Sequence, residues 1–181
     1  MSYALSTDLT IHADNREKRQ FLADLLGCYD FDYPSVFDYE DAGLGLYQED
    51  RGYVEHLLPA VDAICQALAA RGLKDLAFSI DGNTDCDYGV YYVFEIQVRD
   101  GEAYCRETEL DTNEFDPEEA GADPDDDPLS VALESASEAL QEHSWTEIGD
   151  HWAVQDPLRP PFENDQLQKA DEIISAYLST L

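Results

Sequence analysis

Acidic side chains outnumber basic ones by 41 to 10 in this chain, a net charge of −31, and any fold it adopts must hold together against that self-repulsion. The repulsion reaches furthest at low salt, where the Debye length is long. A chain this charged and poor in aromatics would stay unfolded. Here 11 Tyr, 7 Phe and 2 Trp accompany a hydrophobic share of 44%, which is enough for an ordinary core. One domain spanning 1–181 accounts for the length.

Apolar periodicity locates that core. Leu9 and Ile11 share one side of a strand expected between Tyr3 and Ala13. Asp14 with Glu17 has the form of a capping box and opens a helix bearing Phe21, Leu22, Leu25 and Leu26, which ends near Gly27. A short strand is expected over Ala42–Gln48. Val54, Leu57, Leu58, Val61, Ile64 and Leu68 define a second amphipathic helix, stopped at Gly72. Pro59 either kinks that helix or marks its first turn. Leu76–Ile80 reads as a strand, Gly82–Gly89 as a polar loop and Val90–Val98 as the best strand of the chain.

Asp100-Gly101 signals a type I′ hairpin. Its two-residue turn sets Val98 opposite Ala103, Ile96 opposite Cys105 and Glu95 opposite Arg106. Phe94, Ile96 and Val98 then face the core, with an ion pair outside. Pro128 suits the first turn of a helix reaching about His143 through Leu129, Leu133, Ala136 and Leu140. A strand or hairpin over Trp145–Val154 and a last helix from about Asp165 complete the chain. Helices segregate from hairpin-rich strands, so the class is α+β: a mostly antiparallel sheet with a central hairpin, packed against about four helices.

The segment ALAARGLKDLAFSIDGNTDCDYG, a helix running into a strand that ends at Asp81-Gly82, resembles small acidic proteins of unknown function carried on bacterial mobile elements. The resemblance covers about residues 62–89. Where those proteins carry D-G-x-G-D-S-G, this chain has Asp81-Gly82-Asn83-Thr84-Asp85-Cys86-Asp87. It implies a mobile-element context and brings no catalytic residues.

That same run places oxygen ligands at alternate positions, as calcium loops do. The glycine and glutamate an EF-hand needs at its sixth and twelfth positions are here Cys86 and Tyr92, and a turn with Asx capping is the better reading. His12, His56, His143 and His151 have no zinc-ligand spacing between them or to Cys28, Cys65, Cys86 and Cys105. Surrounding acids raise a thiol pKa, the wrong direction for a nucleophile. No P-loop and no G-x-S-x-G occurs. With 41 acids, close carboxylate pairs arise by chance and identify no acid–base site. The expectation is a protein without cofactor, metal or catalysis. The N-terminus has no basic region followed by an apolar run, no stretch of 18 apolar residues occurs, and the cysteines lack C-x-x-C spacing. The expected setting is therefore the cytoplasm, away from membranes.

Two acidic runs are candidate partner-binding segments. Tyr29, Asp30, Asp32, Tyr33, Asp38, Tyr39, Glu40 and Asp41 alternate carboxylates with rigid aromatic contact area. Glu118, Glu119, Asp123, Asp125, Asp126 and Asp127 belong to a stretch, Glu107–Asp127, with 11 acids and no base. Its prolines and glycine read as an acidic loop or mobile insertion at about 111–127. Such runs suit a basic protein surface, the nucleic-acid-binding groove of an effector or toxin, and repel nucleic acid itself. Surface scaling gives roughly 8,800 Å² for a chain of this mass, about 280 Å² per net charge, against on the order of 100 Å² per charge on duplex DNA. Matching DNA therefore requires the acids to gather on one face. The leading expectation is an inhibitor that imitates nucleic acid to block a CRISPR or restriction-type machine. The alternatives are an immunity protein or antitoxin covering a nuclease toxin's basic active site, and halophilic adaptation of an unrelated protein, which three Lys against seven Arg also fit.

Overall fold

A computed structural model describes residues 6–29, 35–39, 43–49, 54–158 and 161–181. Its strands are β1 (Ser6–His12), β2 (Ser35–Asp38), β3 (Leu44–Glu49), β4 (Phe78–Asp87), β5 (Val90–Arg99), β6 (Glu102–Asp111) and β7 (Thr146–Glu147). Its helices are α1 (Arg16–Cys28), α2 (Val54–Ala70), α3 (Pro128–Leu140), α4 (Trp152–Gln155) and α5 (Asn164–Leu178). The strands form one seven-stranded sheet in the order β2-β3-β1-β4-β5-β6-β7, antiparallel at every junction. The architecture is α+β.

Strand alternation gives the sheet two unlike faces. Leu9, Ile11, Leu44, Leu46, Phe78, Ile80, Phe94, Ile96 and Val98 point to one side and are buried there. They form a single core with Leu22, Leu25 and Leu26 of α1, Leu57, Val61 and Ile64 of α2, and Ala170 and Ile174 of α5. Phe21 of α1 stacks on Tyr177 of α5 with ring centroids 4.0 Å apart. On the opposite side α3 lies over β5 and β6. There Val93, Ala136 and Leu140 make a second, small core with Leu110 and Leu133.

Turn chemistry sets the central hairpin. Asp100 and Gly101 both take positive φ, 52° and 79°, as a type I′ turn demands. The expected register follows: Val98 opposite Ala103, Ile96 opposite Cys105, Glu95 opposite Arg106. The Glu95–Arg106 pair on the outer face is not left in water. Arg106 Nη2 donates to Glu95 Oε2 at 2.6 Å and to Gln141 Oε1 at 3.1 Å, and its guanidinium sits 4.2 Å from the centroid of the Trp145 ring.

Gly82–Gly89 corrects the loop expectation. β4 runs on to Asp87 because β1 and β5 both hydrogen-bond to it, and two ladders outweigh the low strand preference of Gly, Asn and Asp. The turn after it is Tyr88-Gly89, with φ of 45° and 86°. A tyrosine rarely takes that conformation. The Asn113 amide donates to the Tyr88 carbonyl at 3.0 Å, and Thr112 donates twice to Gly89 O, at 2.9 Å from its N–H and 2.8 Å from its hydroxyl.

Helix ends differ from expectation by a residue or so. Asn15, not Asp14, caps α1, its Oδ1 accepting from Lys18 N–H at 2.9 Å, while Asp14 pairs with Lys18 Nζ at 2.9 Å. α2 closes in a Schellman motif: Gly72 N–H donates to Ala69 O and Leu73 N–H to Leu68 O. Pro59 lies inside α2, where it removes the bond to the Glu55 carbonyl. The Trp145–Val154 region holds only the two residues of β7, a 3-10 turn (Ile148–Asp150) and α4. His151 secures that corner. Its Nδ1 accepts from Ala153 N–H at 3.1 Å, which leaves Nε2 to donate to Glu107 of β6 at 2.9 Å.

Candidate protein-binding surface

No described helix packs on the outer side of β2, β3, β1 and β4, and the residues that alternate onto it form a polar, aromatic face. Register sets Tyr47, Asp8, Asn83 and Val93 abreast. In the next row stand Phe37, Gly45, Thr10, Asp81 and Glu95. Asp81, Asn83 and Asp85 therefore project from one side of β4 at intervals of about 6.7 Å. Spread along a strand in this way, they do not converge as the ligands of a calcium loop do. Asp81 is hydrogen-bonded to His12 Nε2 at 2.7 Å.

The β2 end of this face is a groove of about 340 Å³ lined by Asp8, Thr10, Phe37, Tyr39, Gly45 and Tyr47, with Leu9 and Leu46 at its floor. Phe37 and Tyr39 are 52% and 55% exposed, large values for aromatic rings. Their rings are near-parallel, with centroids 6.5 Å apart. The Tyr39 ring occupies the space a Cβ on Gly45 would need, 2.5 Å from that position, so only glycine at 45 lets it lie on the sheet. The Asp8 carboxylate is open to solvent at its edge, yet the surrounding sheet displaces enough water to raise its pKa. Burial also raises the Tyr91 phenol, helped by the charges of Asp85 and Asp8.

Beside this face, on the same side of the sheet, stands α3. It belongs to a stretch of 52 residues, Glu107–Leu158, that contains 17 acids and no Lys or Arg. Glu134 and Glu138 project from the exposed side of α3, one turn apart, where like charges repel. Five of the eight described bases are engaged elsewhere, Arg16 and Arg19 with Asp38, Lys18 with Asp14, Arg71 with Asp171 and Arg106 with Glu95, and none of the eight forms an ion pair with an acid of this stretch. The acids of the base-free stretch are thus left unneutralised along α3 and the turns that lead into it. Averaged over the whole chain, 10526 Å² of surface gives about 340 Å² per net charge.

The sequence-derived candidates fare unequally. Tyr29 is a correction: it is the C-cap of α1, 2% exposed and packed edge-to-face on Phe162 at 4.8 Å, so it belongs to the core. Asp38 accepts from Arg16 Nε at 2.8 Å and Arg19 Nη2 at 3.4 Å, which commits its charge to the fold. Tyr39 is on the open face. Asp30, Asp32, Tyr33, Glu40 and Asp41 lie outside the described residues. Glu118, Glu119, Asp123, Asp125, Asp126 and Asp127 are all exposed, and no described base forms an ion pair with them. Their run begins later than Glu107, since Glu107–Asp111 is the end of β6. It then folds as successive turns: Gly121 N–H to Glu118 O, Ala122 N–H to Pro117 O, Asp126 N–H to Asp123 O, with Asp126 Oδ2 accepting from Asp123 N–H at 3.1 Å.

Sequence reasoning missed Asp8, Asp81, Asp85 and Tyr91. Asp8 was within reach, since a residue between Thr7 and Leu9 in a strand must face away from Leu9. None of the four cysteines forms a disulfide, and burial pushes Cys65 and Cys105 up to about 12, far from nucleophilic use at neutral pH. Among the described residues no cluster of His, Cys, Asp and Glu is arranged to hold a metal, and no helix is long and apolar enough to cross a membrane. Comparison with protein-family models, with curated proteins and with solved structures found no match.

Proposed function

We propose that this protein is an inhibitor that occupies the basic, nucleic-acid-binding surface of another protein by imitating nucleic acid. The observation that carries the reading is the base-free 52-residue stretch, whose helix α3 stands on the same side of the sheet as Asp8, Asp81 and Asp85. Carboxylates there would take the place of phosphates against Lys and Arg, with counterion release and electrostatic steering supplying affinity and speed. The two carboxylates on this face of β4, Asp81 and Asp85, stand ~13 Å apart along the strand with Asn83 between them, a quarter of the linear density of one DNA strand at about 3.4 Å per charge. Acids of neighbouring elements must therefore contribute. A CRISPR or restriction-type effector fits this chemistry, and the mobile-element resemblance fits that setting.

One observation favours a second reading, an immunity protein that caps a nuclease toxin. The exposed Phe37–Tyr39 pair offers concentrated contact area of the kind found at binding hot spots. The two readings differ in how energy is distributed. The test captures the partner on immobilised protein, then measures affinity at several salt concentrations with short duplex DNA as competitor. Imitation predicts that DNA displaces the protein, that single Asp→Asn or Glu→Gln changes cost little, and that cluster changes flatten the salt dependence stepwise. A partner that binds DNA and this protein at once removes the imitation reading. One substitution costing more than about 2 kcal/mol, with cluster changes silent, hands the case to the immunity protein.

A further inference from the structure

We propose that the groove between β2, β3 and β1 is an arginine-specific subsite, which receives one guanidinium of the basic partner between the Phe37 and Tyr39 rings and the Asp8 carboxylate. This rests on the reading of a basic partner and adds where a single side chain is recognised. Geometry comes first. The two rings are near-parallel with centroids 6.5 Å apart, so their faces turn the same way and a planar group can lie against them at the ordinary contact of ~3.5 Å. A groove of about 340 Å³, at the small end of ligand pockets, admits one long side chain. Guanidinium is planar, stacks on rings and forks onto carboxylates, whereas an ammonium is a compact and strongly hydrated point charge.

Charge complementarity argues for a cation and against a second copy of this chain, since two bodies of −31 repel. No described base pairs with Asp8, although burial already costs its ionised form; an incoming cation would reverse that penalty. The molecule holds one guanidinium in the same manner elsewhere: Arg106 lies against Glu95 at 2.6 Å and over Trp145 at 4.2 Å. The open groove offers the same two components, a carboxylate and aromatic faces, on the solvent side.

The test titrates the protein with two blocked tripeptides, one with a central arginine and one with a central lysine, following backbone amide shifts by NMR. The arginine peptide should saturate the signals of Asp8, Thr10, Gly45 and Tyr47, and bind about five-fold or more tighter than the lysine peptide. Gly45→Ala removes no ligand atom but displaces the Tyr39 ring, and should weaken arginine binding about five-fold with the fold intact. Tyr39→Ser serves if that variant misfolds. Asp8→Asn should weaken binding while raising the melting temperature, a pairing that general loss of structure would not produce. Equal binding of both peptides, shifts confined to residues 112–142, or an unchanged affinity in Gly45→Ala would each overturn the subsite. The partner reading is judged separately. It survives a failed subsite if neutralising Glu118, Glu119, Asp125 and Asp126 still weakens partner capture, and it fails if DNA does not compete.

Discussion

Asp8 on the outer face of β1 and Thr84 on the inner face of β4 each carry a cost that the fold tolerates. Asp8 has a raised pKa because burial disfavours its charge. Its ionised form therefore subtracts stability at pH values above the folded pKa, and the loss fades as pH falls through it. Asp8→Asn should melt higher than the parent at pH 7, with the two curves converging below about pH 3, where the carboxyl is neutral in both states. Thr84 is fully buried and its hydroxyl has no hydrogen-bond partner. Thr84→Val keeps the shape and removes the orphaned group, so urea unfolding should show a gain of about 1 kcal/mol. Arg106 has the opposite balance. Its side chain is 9% exposed and holds Glu95 together with Gln141, so Arg106→Ala should cost about 3 kcal/mol by leaving a shielded carboxylate unpaired.

At the scale of elements, the β5–β6 hairpin was legible because a two-residue Asp-Gly turn leaves one register open, and alternation then assigns every face. β4 was not legible. Its second half, Asp81 to Asp87, has turn-forming composition, and only pairing to β1 and β5 makes it a strand. The same error hid the open face, because a loop has no sides on which to align Asp8, Asp81 and Asp85. The turns of the acidic run hold mainly to one another. Replacing Asp116–Asp126 with a short Gly-Ser linker should therefore leave a single cooperative melt within a few degrees of the parent. Loss of that transition would show that the turns pack as part of the domain. The cap of α1 offers a smaller check: Asn15→Ala should cost about 1 kcal/mol in the same assay.

For the whole molecule, charge governs behaviour. A net −31 should make the melting temperature climb from low salt to about 1 M, where the Debye length is about 3 Å. Sodium and potassium chloride should act alike. A chain that stays unfolded until molar salt would point to halophilic adaptation and not to a basic partner. Binding to duplex DNA or to RNA at about 0.15 M salt should be absent, because the field that attracts Lys and Arg repels phosphate. A micromolar complex in an electrophoretic or fluorescence titration would remove the imitation and immunity readings together.

The sequence by itself determined the core faces of β1, β5, α1 and α2, the central hairpin and its register, and the helix stop at Gly72. These depend on periodicity and on dihedral preferences that act over a few neighbouring residues. Tertiary structure alone decided that Tyr29 closes into the core, that Asp38 spends its charge on Arg16 and Arg19, and that α3 covers the sheet from the side opposite α1, α2 and α5. It also decided which acids remain unneutralised. Each outcome depends on groups distant along the chain arriving at the same place, since a strand needs neighbours on both edges to satisfy its backbone, and a carboxylate stays available only where no base folds beside it.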